Sequence, residues 1–239
     1  MKLRLKKNIL IIILLLFISG FIYSSVHIIS WVGDNKKTKD IRKEIDNSIN
    51  INVDKGIFEV DFDELSKMNP DVNAYLIVHN TNINYPIVKT TNNEYYLSYS
   101  FDRSKSEAGW VFMDSNNKFD GTDKNIIIYG HNRLDGTMFG TLKKVLDKDW
   151  NSNEDNLVIE LINKEETVKY RIFSVYKIKE EEYYINTDFN DKSFNVFINN
   201  IKNRSIYNFN VKKDIKEILT LSTCTIVDGY RLVVHAYKE

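Results

Sequence analysis

Proline occurs twice, glycine nine times and cysteine once in 239 residues. Two prolines cannot make a Pro-rich linker, and no internal repeat or low-complexity block divides the chain. An excess of charge is missing as well, because 33 basic side chains are balanced by 33 acidic ones. Bulk electrostatics therefore give no reason to expect nucleic acid or an acidic polymer as partner, and point to a neutral or peptide-like ligand. A lone cysteine excludes an internal disulfide, so Cys224 is either a buried structural thiol or a reactive one, and composition favours neither. What the chain does have is apolar content, 43% of its residues, enough for one substantial core and hence one globular domain.

The uncharged stretch from Asn8 to Gly33, centred on Ile9 to Phe17, follows Lys2, Arg4, Lys6 and Lys7. Crossing a bilayer takes roughly 20 apolar residues, and a basic flank stays in the cytoplasm, so the bulk of the chain is expected outside the cell membrane as a single-pass protein. Ser19, Gly20, Ser24 and Ser25 are small enough for signal-peptide processing, but the length of the uncharged run favours retention as an anchor. The expected divisions are a basic tail at 1–7, an anchor at 8–32, a stalk with an N-terminal helix at 33–59, and the main folded domain at 60–239. Ile41, Ile45 and Ile49 recur at helical spacing in a Gly-free charged segment and predict a short amphipathic helix. Asp61 to Met68 predicts a second, capped by Asp61 and stopped at Asn69 and Pro70.

Beyond this point the texture is mainly β. Segments 74–78, 85–88, 109–113, 125–129, 157–161, 167–178, 218–224 and 230–237 are rich in Ile, Val, Tyr and Phe and are separated by Asn, Asp and Gly clusters. About eight short strands at this spacing suggest a closed barrel or a sandwich. Two helical stripes interrupt them, Phe139, Leu142 and Leu146 in 137–146, and Phe194, Phe197, Ile198 and Ile201 in 193–201.

Asp228 and Gly229 are the strongest two-residue turn signal in the chain. With that turn Val227 faces Tyr230, Ile226 faces Arg231 and Cys224 faces Val233, so Cys224 and Arg231 share a face as diagonal neighbours, roughly 7 to 8 Å apart. A thiolate attacking a carbonyl needs a donor for the negative charge that develops on oxygen, and a guanidinium is a permanent, rigid one. A thiol with a pKa of about 8.5 also needs a base or a cationic neighbour. Of the histidines, His27 lies in the membrane segment and His79 beside Asn80 after a strand. His131 follows an apolar strand and Gly130, at a rim where barrels expose functional side chains. His235 faces Ser222 in this register and shares the Cys224 face, so strand geometry leaves it as a rival to His131.

The run TLSTC ending at Cys224, followed by YRLVVHA with Arg231, resembles the signature of class B sortases. NIIIYGHN (125–132), DGTMFGTLKK (135–144), NEYYL (93–97) and AGWVFMD (108–114) are similar to corresponding class B segments, as is the insertion that carries the helix at 193–201. The resemblance implies an eight-stranded sortase-type β-barrel with short flanking helices, no required metal or other cofactor, and His131, Cys224 and Arg231 at the three catalytic positions. It implies a cysteine transpeptidase that cleaves an Asn-Pro-x-Thr-like C-terminal sorting signal of secreted proteins after Thr and passes the acyl group to a peptidoglycan amine. It also implies that Asn93, Leu97 and Ser222 contact the signal, with Tyr184 and Ile185 walling the Pro side and Tyr183 able to exchange with Tyr184. A membrane-anchored cysteine endopeptidase and a non-catalytic surface binding protein on the same barrel are the competing readings. The joint presence of Cys, His and Arg argues against the second.

Overall fold

Alternation of apolar and polar residues along β9 (Ile218–Cys224) decides which way the barrel faces. Leu219 and Leu221 point into a core shared with Leu232, Val234 and Ala236, whereas Ile218 belongs to a second cluster outside it. Thr220 and Ser222, on the same face as Ile218, are also buried. The computed structural model describes residues 2–47, 49–52, 57–179, 181–211, 214–224 and 229–239.

Residues 1–40 form one compact unit and 41–239 another. Helix α1 runs from Lys2 to Asp46 without a break, so the amphipathic segment expected after the membrane span continues the same helix. No proline or glycine stands between Asp34 and Asp46 to end it. Its Ile9 to Phe17 stretch is exposed, and among the described residues it is the one helix long and apolar enough to cross a membrane. In the larger unit, Ile41 and Ile45 are buried in the barrel's core cluster and the Arg42 guanidinium donates to the Tyr85 hydroxyl at 3.0 Å. Ile49 leaves the helical stripe and opens β1 (Ile49–Asn52), which pairs with β2 (Ile57–Val60). Helix α2 (Phe62–Met68) starts where Asp61 accepts from the amides of Asp63 and Glu64 and ends at Asn69, as its sequence predicts.

The remaining strands are β3 (Val72–Val78), β4 (Asn84–Val88), β5 (Phe112–Met113), β6 (Asn125–Tyr129), β7 (Val158–Ile162), β8 (Thr167–Lys179), β9 and β10 (Tyr230–Lys238). They close into one barrel in the order β10-β8-β7-β3-β4-β5-β6-β9, which decides between the expected barrel and sandwich. Two pairings are parallel, β4 with β5 and β6 with β9. The stripe expected as a helix over 137–146 is helical only as a 3-10 turn at Leu142–Leu146, ahead of the short α3 (Lys148–Asn151). Asp135 captures the Thr137 amide and hydroxyl, and Met138 takes a left-handed φ of 49°, so the preceding turn is bonded in another way.

Helix α4 (Asp191–Arg204) begins with a reciprocal Asn190–Ser193 capping box and lays Phe194, Phe197, Ile198 and Ile201 on the outer face of β8, β9 and β10. It seals the face that carries Thr220 and Ser222. Ile201→Ala removes a side chain with no solvent exposure from this seam and is expected to cost about 2–5 kcal/mol. Urea unfolding followed by tryptophan fluorescence checks this, and a loss below about 1 kcal/mol would show that α4 is not part of the cooperative unit.

Candidate active site

Parallel pairing of β6 and β9 sets Tyr129 beside Ser222, and the Gly130 amide then donates to the Ser222 carbonyl at 3.3 Å. Two chain positions further on, both strands leave the barrel at the same rim, one with His131 and the other with Cys224. β10 returns to that rim with Arg231 directly opposite Cys224. The register expected from the turn is offset by two: Cys224 pairs with Arg231 and not with Val233, and His235 pairs with Thr220 and not with Ser222. A shift of two keeps every residue on its face, so facing alone could not separate the two registers. β10 is also laddered to β8 from Tyr230 to Lys238, and that longer pairing sets its register independently of the turn. The turn read from Asp228 and Gly229 falls partly on residues outside those described; Gly229 has a φ of 75°.

His131 stands on the Gly130–Phe139 segment, where its carbonyl accepts from the Phe139 amide at 2.9 Å. Its Nε2 lies 2.9 Å from the Leu97 carbonyl oxygen. A carbonyl can only accept, so Nε2 carries the hydrogen, and in the neutral ring Nδ1 is the basic nitrogen. Gly109 lets the ring approach this backbone. Its φ is +57°, and a Cβ there would stand 2.5 Å from the Tyr96 carbonyl and 3.0 Å from His131 Cδ2.

A cleft of about 430 Å³ opens beside this rim. Asn93, Leu97, His131, Ser222 and Arg231 line it, and so do Tyr184 and Ile185 from the insertion. The Tyr184 hydroxyl meets Ser222 Oγ at 3.0 Å. Tyr183 is turned away, its hydroxyl donating to Tyr176 at 2.9 Å and its ring lying under Arg204, so Tyr184 is the one of the pair on the cleft. Phe112, Tyr129, Thr223, Glu181 and Glu182 also line it and were missed in the sequence. Tyr129 was the legible one, since period two along β6 puts it on the same side as His131. Among the described residues no group of His, Cys, Asp and Glu side chains is placed to hold a metal ion.

The other histidines sit elsewhere. His27 packs edge-on against Tyr23 on α1, and His79 pairs with Glu160 at 3.3 Å. His235 is fully buried, with both nitrogens engaged in a directed chain. Asn125 Nδ2 donates to the carbonyls of Tyr184 and Asn186, which turns Asn125 Oδ1 toward Thr220 and makes it the acceptor of the Thr220 proton at 2.6 Å. Thr220 Oγ1 must then accept from His235 Nδ1 at 2.8 Å, which leaves Nε2 to accept from the Tyr176 hydroxyl at 2.8 Å. The chain ends with Tyr183 donating to Tyr176. It runs under the insertion and ties the carbonyl of Tyr184, on the cleft wall, to the barrel.

A family model described as Sortase domain matches residues 76–239. The chain is 39% identical over 171 residues to Sortase B of Listeria monocytogenes, covering 70% of this chain and 68% of the relative. It is 35% identical over 165 residues to Sortase B of Staphylococcus aureus, covering 68% and 67%. The X-ray structure of Clostridium perfringens sortase B superposes with a TM-score of 0.69 at 29% identity, covering 74% of this chain and 98% of that one.

Burial holds His235 neutral and takes its pKa down to about 3, against an ordinary value of 6.5. Between these values the unfolded chain binds a proton that the folded chain does not, so acid weakens the fold. Stability is expected to fall by about 1.4 kcal/mol per pH unit from this group as pH drops from 6 toward 4. Urea midpoints at several pH values should show this slope in the native chain and a flatter one in His235→Gln. An unchanged slope in the variant would mean that other groups carry the acid sensitivity.

Proposed function

The chain belongs to the sortase family of transpeptidases, alongside its class B members, and on that premise we propose that Cys224, His131 and Arg231 are its catalytic residues, acting on an Asn-Pro-x-Thr-like sorting signal. The observation that carries this reading is the rim itself, where Arg231 pairs across from Cys224 and the parallel neighbour β6 delivers His131. The Cys224 thiol passes its proton to Nδ1 of His131, the thiolate attacks the carbonyl carbon of Thr, and the resulting oxyanion takes a hydrogen bond from the Arg231 guanidinium. His131, through Nδ1, gives its proton to the departing amine and leaves a thioester on Cys224. A peptidoglycan amine then attacks the thioester, loses a proton to the same nitrogen, and receives the acyl group as Cys224 departs. Nothing in this cycle calls for a metal or cofactor.

Asn93, Leu97 and Ser222 contact the bound signal in this proposal, and Tyr184 and Ile185 wall its Pro side. The partners are secreted proteins that end in such a signal and the cell-wall amine that receives them. The N-terminal helix anchors the chain as a single-pass protein, with its basic residues on the cytoplasmic side and the barrel outside. The divisions then are tail 1–7, anchor 8–32, stalk 33–59 and catalytic domain 60–239.

Cleavage of a fluorogenic Asn-Pro-x-Thr peptide by the full chain in detergent micelles tests the assignment. Cys224→Ala is expected to lose both cleavage and covalent capture of the peptide. Arg231→Ala should lower kcat/KM by about a hundredfold or more, as the loss of one oxyanion donor does. Covalent capture by the Cys224→Ala variant would refute the nucleophile. Product that goes to water whether or not an amine is added would point instead to an endopeptidase.

A further inference from the structure

Behind the cleft lies a buried carboxylate that the proposed cycle does not use. Asp114 is 2% exposed and follows β5. Its Oδ2 accepts from Asn93 Nδ2 at 2.9 Å and from the Tyr129 hydroxyl at 2.7 Å, and its Oδ1 accepts from the Asn116 amide at 2.8 Å. The neighbouring Ser115 amide donates to Asn93 Oδ1 at 2.8 Å. Asn93 and Tyr129 both line the cleft, and they meet on one oxygen of Asp114.

We infer that Asp114 is a positioning residue that fixes the hydrogen-bonding polarity of Asn93 and Tyr129 and thereby selects the ligand group this end of the cleft takes. This rests on the peptide-binding role proposed for the cleft. An asparagine amide can sit in either of two flips, and here both of its ends are held, nitrogen to Asp114 and oxygen to Ser115. The second N–H of Asn93 then serves as the donor for a ligand. Tyr129 has committed its proton to Asp114, so its oxygen can serve a ligand only as acceptor. One donor beside one acceptor suits a primary carboxamide, which offers a C=O to the first and an N–H to the second. A carboxylate has nothing to donate to Tyr129 and brings a second negative charge toward Asp114.

Only a carboxylate at position 114 satisfies all of these neighbours at once. An asparagine there, with its oxygen kept on the Asn116 amide, would point an NH2 at Asn93 Nδ2. Asn93 would escape that contact only by flipping its own NH2 against the Ser115 amide. With the opposite flip, the introduced side-chain amide would set donor against donor at Asn116. Asp114→Asn therefore unlocks Asn93 with no change in volume. The same change reverses Tyr129, which can no longer donate to position 114, accepts from the introduced NH2 and turns its proton toward the cleft.

The test measures binding of peptides that carry Asn or Asp at the first position of the signal, by fluorescence polarisation. The protein is the full chain in detergent micelles, with Cys224→Ala to prevent turnover. The parent is expected to bind the Asn peptide at least about tenfold more tightly than the Asp peptide, the scale of one mispaired buried hydrogen bond. Asp114→Asn should erase that preference, and Tyr129→Phe, which removes the acceptor and leaves Asp114 in place, should narrow it by weakening the Asn peptide; urea unfolding checks that both variants are folded. A purely structural Asp114 predicts that Asp114→Asn lowers urea stability and keeps the preference, and that result overturns the inference. So does a parent that binds no peptide or does not distinguish Asn from Asp, or a folded Tyr129→Phe chain with the parental preference. Asn-selective binding combined with failure of the Cys224-intact chain to cleave would overturn the transpeptidase reading and leave this one standing.

Discussion

The parallel ladder between β6 and β9 is the constraint on which the candidate site depends. Parallel neighbours run the same way, so both leave the barrel at one end, and the residues just past Tyr129 and Ser222 emerge side by side. An antiparallel neighbour would have sent the His131 loop to the far rim. β9 and β10 are antiparallel, and this returns Arg231 to the rim where Cys224 ends. Three residues spread over 101 positions of sequence are thus brought to one rim by two strand pairings. Precision comes from smaller contacts. Gly130 leaves space that the Phe139 ring fills, a Cβ there falling 2.8 Å from the ring, and Gly109 gives the His131 ring a backbone wall to lie against.

Strand and helix periodicity carried most of the architecture. The limits of β6 and β9 were readable to the residue, β6 as a short run of Ile and Tyr after Asp123 and Lys124, and β9 as an alternating segment after Lys216 and Glu217. The N-terminus of α2 was readable from Asp61, since a cap is a local bond. What failed to show were effects of partners distant in sequence. The β9–β10 register is set by the β8 ladder, so a turn signal alone placed it two residues away. The stripe over 137–146 has helical spacing, but Asp135 and the Met138 backbone divert its first turn. Asp114 gave no signal at all: it reads as the polar end of an apolar strand, and its partners lie 21 and 15 positions away. His131 and His235 looked equivalent on strand geometry, and burial separates them.

The cleft lies on the outer face of the barrel because the interior has no room. Leu76, Leu161, Ile128, Leu219, Leu221 and Val234 fill the inside with little or no exposure, as side chains do in a small barrel. An outer-face site has a cost, since strand residues there would be left wet, and polar groups that are covered must find partners. The insertion between β8 and β9 meets both demands. Helix α4 covers the face with an aromatic and aliphatic stripe, and the turn Tyr183–Ile185 stands up as the cleft wall.

The polar chain under that insertion shows why the cover is held in one place. Every proton from Tyr183 to Asn125 is directed by its neighbour, and the direction is anchored at the backbone carbonyls of Tyr184 and Asn186, which only accept. Asn125 cannot flip without facing those carbonyls with oxygen, so Thr220, His235 and Tyr176 have no alternative order. Apolar packing alone would let the stripe of α4 slide at modest cost, because such contacts are not directional. A fully satisfied buried chain is directional, and a displaced insertion would strand several of its members without partners. The same logic operates on the other side of the cleft, where Asp114 holds Asn93 and Tyr129 in one polarity. The two walls are thus fixed by hydrogen bonds that specify orientation, and the apolar core between them supplies the stability that lets such costly polar groups stay buried.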